Sequence, residues 1–99
     1  MAGILIVSYP STEGASFDRD YYTRTHLPLV RERWGPLGLE HVVALFPDDE
    51  APASAAVAVL TFTDGSARDA AISGETAAEV FGDVPNFTTI APVAQRMTS

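Results

Sequence analysis

Three runs of this chain are apolar on nearly every position rather than on every second one. Gly3 to Tyr9 (GILIVSY), Leu39 to Phe46 (LEHVVALF) and Ala55 to Thr63 (AAVAVLTFT) are short, rich in β-branched residues and bounded by Pro, Gly or acidic turns. Such runs predict strands. Between them lies a segment with helical spacing, Phe17 to Gly35 (FDRDYYTRTHLPLVRERWG). Ser16 is its expected N-cap, with Asp18 and Asp20 near the positive helix end. Pro28 removes a backbone donor and crowds the carbonyl four residues earlier, so the helix is expected to break just after His26 and restart, stopping at Gly35, Pro36 and Gly38. The break would turn His26 out of the regular helical stripe. Pro47 to Ser54 is an acidic turn that makes a hairpin of the second and third strands. Asp64 is placed to cap a second, alanine-rich helix through Ile72, with Ser73 capping its continuation through Phe81. Gly82 to Phe87 reads as a loop, and Thr88 to about Met97 as a last strand with Pro92 near an edge or bulge.

The resulting order, β-α-β-β-α-β, predicts an α+β, ferredoxin-like fold: one four-stranded antiparallel sheet with both helices on one face. A sheet covered on one side only should alternate apolar with polar residues. These strands do not, and two helices are already used on the first face. The expected cover for the second is another copy of the same sheet, giving a homodimer with a shared barrel-like interior. The alternative is a monomer with a sticky face.

Composition narrows the functions. The 99 residues make one domain, 1–99, and the net charge of −7 argues against sequence-independent binding of nucleic acid or of anionic membranes. All six cations are arginine, and Arg19, Arg24, Arg31 and Arg33 fall in the first helix. They are expected to form a solvated face, with an anion site as the lesser reading. With no cysteine, thiolate chemistry is excluded. No run reaches the length of a membrane span and no leader pattern precedes Ile4, so the expected location is cytoplasmic. No metal-ligand spacing, phosphate loop or nucleophile elbow is present, and no cofactor is expected.

FDRDYYTRTHLPLV (17–30) resembles the F-D-x-x-Y-Y-x-x-x-H-x-P-L signature of the EthD family, named for ethyl tert-butyl ether degradation, within the dimeric α/β-barrel superfamily. LTF at 60–62 and DVPNF at 83–87, leading into TTIAPV, support it, and together the three places span nearly the whole chain. The resemblance implies the same fold and dimer. It places His26 in the space between helix and sheet. It does not carry a reaction, since the superfamily spans cofactor-free monooxygenases, haem-degrading oxygenases, lactone isomerases and peroxidases.

His26 is the candidate acid or base, because its ordinary pKa lies near neutrality. A buried neutral histidine at the kink is the competing reading, held about even. Asp83 could orient it, or instead cap the loop amides of residues 85 to 87, a slightly favoured role. Tyr9, Tyr21 and Tyr22 are the candidates to bind a substrate oxygen, although at most one of the helix tyrosines should face a pocket. Trp34 is expected to pack the helix onto the sheet, and His41 to be ordinary. The expected function is binding of a small hydrophobic or aromatic carbonyl or phenol compound, in degradation or secondary metabolism, with cofactor-free proton transfer or oxidation at His26. The alternatives are an accessory protein holding such a ligand for an oxygenase, or a haem protein with His26 as axial ligand.

Overall fold

The computed structural model describes all 99 residues. Its elements are β1 (Gly3–Pro10), α1 (Arg19–Tyr21), a π turn (Tyr22–His26), α2 (Leu27–Trp34), a 3-10 turn (Gly35–Leu37), β2 (Leu39–Leu45), β3 (Ser54–Phe62), α3 (Gly65–Ser73), α4 (Ala77–Gly82), a second 3-10 turn (Val84–Asn86) and β4 (Val93–Thr98). The sheet order is β2-β3-β1-β4, and all neighbours are antiparallel. This is the ferredoxin-like α+β arrangement that the element order predicts.

The first helix departs from expectation. It does not break at Pro28, and Leu27 keeps helical angles (φ −63°, ψ −41°). Instead the turn before the proline widens, and the Leu27 amide donates to the Tyr22 carbonyl five residues back. A proline ring collides with the carbonyl four residues earlier in a regular helix, and a wider turn moves that carbonyl aside. The conflict is thus absorbed as a π turn, a feature that tends to sit at functional sites. His26 is its last residue. The helix also starts later than Ser16: Asp18 is the N-cap, its side chain accepting from the Tyr21 amide at 3.0 Å.

Asp64 caps α3 as expected, accepting from the Ala67 amide at 2.8 Å. Ser73 does not cap α4. Its hydroxyl donates back to the Asp69 carbonyl, and α4 begins after Thr76, whose side chain makes no capping bond. The last strand begins at Val93 rather than Thr88. Thr88 forms an isolated bridge with Phe17 and bonds the Ser16 carbonyl at 2.7 Å, so this stretch is tied to the helix entrance instead of the sheet. Gly3 is required by a close approach: a Cβ there would lie 2.3 Å from the Asp64 carbonyl oxygen. Gly38 turns the chain into β2 at φ +114°, which favours glycine.

Leu5, Val7 and Tyr9 of β1 and Ala56, Ala58, Leu60 and Phe62 of β3 point into the core beneath the helices. The alanines let the helical layer lie close to the sheet. The register puts the intervening residues on the other face: Ile4, Ile6 and Ser8; Val57, Val59 and Thr61; His41, Val43 and Leu45; Val93, Gln95 and Met97. Nothing in the chain covers this face. Val43, Leu45, Val93 and Met97 are 51%, 52%, 53% and 42% exposed, and apart from His41 the face holds no ionisable group.

Candidate active site

The site forms where the π turn meets the end of α4. Val84 and Phe87 are buried on either side of the second 3-10 turn and hold that loop against the core. The Asp18 amide donates to the Phe87 carbonyl at 2.8 Å, joining the loop to the helix entrance. These anchors bring Asp83, the C-cap of α4, to the wide turn that carries His26. His26 Nδ1 lies 3.0 Å from Asp83 Oδ2. The imidazole is 4% exposed, stacked on Tyr22 (centroids 5.5 Å, 18° between planes) and tilted against Phe87 at 4.7 Å.

Asp83 does not cap the loop amides with its side chain. Its other oxygen accepts from the Tyr21 hydroxyl at 2.7 Å and from Asn86 Nδ2 at 2.9 Å. Burial pushes the Asp83 pKa up, but the bonds from Asn86, Tyr21 and His26 outweigh it, and the net direction is down. Asp83 is therefore a carboxylate at neutral pH. An ionised carboxylate only accepts, so Nδ1 carries the proton and donates to it. In the neutral ring Nε2 is left with a lone pair and makes no bond to the protein. Burial lowers the His26 pKa more than Asp83 raises it. The neutral, Nδ1-protonated ring is the resting form at pH 7, as a general base requires.

Tyr9 and Tyr22 line the cavity beside His26. Burial pushes the Tyr22 hydroxyl up to about 12 and Tyr9 further still, so both are neutral donors. Tyr21, expected among the substrate-binding residues, does not line the cavity; its hydroxyl is spent on Asp83. Sequence reasoning misses this role, and it misses Asn86. The available signals were the Tyr-Tyr doublet, which must point one ring each way, and the three-residue spacing of Asp83 and Asn86. Apart from these tyrosines, His26 and Trp34, the cavity wall is aliphatic or phenyl, including Val7, Leu60, Val30, Val80 and Phe81. Its free interior is narrow, about 20 Å³, room for about one water. The helix arginines do not converge here: Arg33 pairs with Glu32 and Glu79, Arg19 lies over Phe46 at 4.8 Å, and Arg24 and Arg31 are exposed.

The structure is similar to an EthD-like protein from Ralstonia eutropha JMP134, with 33% identity over 97% of this chain and 89% of that one, at a TM-score of 0.82. The chain belongs to the EthD-like family. It also shares its fold with SnoaB, a cofactor-independent oxygenase from Streptomyces nogalater (9% identity, 99% and 92% of the two chains, TM-score 0.73). A dimeric ferredoxin-like protein of unknown function from Jannaschia sp. CCS1 matches over the full length of both chains (18% identity, TM-score 0.70). No family model matches the sequence, and no curated protein does. The EthD-like assignment thus rests on the Ralstonia relative, and all three share the fold. No helix of this EthD-like chain is long and apolar enough to cross a membrane.

Proposed function

We propose that this EthD-like protein is a cofactor-free enzyme that takes a proton from a small hydrophobic or aromatic carbonyl or phenol compound. The observation that carries the reading is the His26–Asp83 pair at 3.0 Å, with Nε2 unbonded beside an apolar cavity. Asp83 orients the ring and stabilises the imidazolium that forms. Tyr9 and Tyr22 are neutral donors that can receive the substrate oxygen as it gains charge. The oxidative extension is reaction of the resulting anion with dioxygen; SnoaB, which shares the fold, is described as a cofactor-independent oxygenase. The accessory-protein alternative shares the cavity but leaves the oriented base without a purpose. Haem, far larger than a one- or two-ring compound, would demand the greatest opening of a cavity whose free space is about that of one water.

The test is exchange of the α-protons of 2-tetralone in deuterium oxide, followed by proton NMR. The expected result is acceleration by the wild-type protein and a loss of about 10²–10⁴-fold in His26→Ala with the fold intact. Equal exchange by both proteins overturns the base assignment.

We further propose that the protein is a homodimer joined through its open sheet faces. A mostly aliphatic face of four strands, with His41 its one ionisable group, is costly to leave in water. A second copy offers the same chemistry, and the Jannaschia structure is described as dimeric.

A further inference from the structure

The cavity runs on past His26. His26, Val30 and Trp34 recur every four residues, so one stripe of the helix faces it from end to end. Eight residues at 1.5 Å each separate the first and last by about 12 Å. Trp34 is 1% exposed and its ring packs beside Phe62 (6.0 Å) and Phe81 (5.9 Å). Its indole Nε1–H has no acceptor. Buried indole N–H groups normally reach a partner, and an unpaired donor costs its full desolvation. The phenyl rings around it cannot supply a lone pair. Trp34 helps to line the cavity, so a ligand that enters it is the candidate for the missing acceptor.

We infer that Trp34 Nε1 is a second polar anchor of the site, and that the ligand is a flat, mostly apolar ring compound bearing an oxygen at each end. One oxygen meets His26 Nε2 and the other accepts from Trp34. The backbone rise of about 12 Å between the two residues sets the scale of the ligand, that of a one- or two-ring compound. This deepens the small-molecule reading above and rests on it. The room for one water means that a wall must move. α4 is the wall that yields: it has six residues and no side-chain bond at its N-cap, and of its two lining residues, Val80 and Phe81, the second is only half-buried. The opposing walls are the sheet and the long first helix.

Trp34 is the only tryptophan, so its indole N–H gives a single assignable NMR signal. The probes are 2,6-dihydroxynaphthalene, with an oxygen at both ends, and 2-naphthol, with one. For the wild-type protein, calorimetry should show the two-oxygen probe binding roughly three- to tenfold tighter, the worth of one hydrogen bond. The indole proton should move downfield with that probe and stay in place with 2-naphthol. Trp34→Phe keeps an aromatic ring and removes the donor; it should abolish the preference, bringing the two probes to nearly equal affinity. His26→Ala should weaken both probes. A preference that survives Trp34→Phe, or an indole signal blind to both probes, overturns the anchor. If His26→Ala still weakens both probes in that case, the His26 site stands without it. No binding of either probe to the wild-type protein removes the small-molecule site and the anchor together.

Discussion

At the scale of single residues, the chemistry depends on how Asp83 is held. Its two oxygens carry three donors, and each does a different job: His26 receives orientation, while Tyr21 and Asn86 keep the carboxylate ionised. Asp83→Asn keeps the shape but removes the charge that stabilises the imidazolium. Exchange should fall by about 10- to 100-fold, part of the total for general-base catalysis. Tyr21→Phe acts in the opposite sense on His26. With one donor fewer, Asp83 becomes a stronger acceptor for Nδ1–H, so the acid limb of the pH–rate profile should move to higher pH. An unmoved limb would mean that Tyr21 is only packing. Burial holds the His26 pKa below its ordinary 6.5. As pH falls below 6.5 the unfolded chain therefore takes up the proton first, and stability declines toward the folded-state pKa; above 6.5 the group has no effect on stability. The urea midpoint of the wild-type protein should drop between pH 7 and 5 more steeply than that of His26→Gln, which cannot titrate. Parallel slopes would show His26 to be protonated as readily in the fold as out of it.

At the scale of elements, the π turn and the caps show what local sequence can and cannot specify. Asp18 and Asp64 each accept from an amide three residues on, and replacing either with alanine should cost about 1 kcal/mol in denaturant titration. Ser16, two residues earlier, is an equally good cap by composition. It loses because the Phe17–Thr88 bridge fixes residues 16 to 18 in extended geometry, and the helix starts only after it. The same long-range bridge explains why residues 88 to 92 do not extend the last strand. Pro28 was legible as a perturbation at His26, but the outcome, a widened turn rather than a break, depends on the core. Leu27 and Val30 are both buried, and a continuous helix keeps them so.

At the scale of the whole molecule, the open sheet face is the ground for the proposed homodimer. Light scattering should give about twice the 10.5 kDa chain mass, and Val59→Glu, which puts a charge on the central strand β3 of that face, should return it to one chain. A wild-type mass of one chain would remove the homodimer. The fold was largely readable from the pattern, because four strands and two helical segments in that order leave few right-handed, uncrossed ways to pair. The doubly apolar strands marked a second apolar face, which this chain leaves open. They could not show the 20 Å³ interior, which depends on how far the helical layer settles onto the alanines of β3.

Local propensity, periodicity and residue chemistry were enough to specify the element order, the ferredoxin-like topology, His26 as the candidate base and the apolar second sheet face, and they left Asp83 between orienting His26 and capping its own loop. Those signals are all written along the chain. Folding was needed to turn Asp83 to His26 rather than to its own loop, to commit Tyr21 to the carboxylate, and to leave Trp34 without an acceptor in the cavity wall. Each of these is set by contacts between residues far apart in the chain. Their geometry is fixed by the packing of α4 and the 83–87 loop against the first helix, which no local pattern encodes.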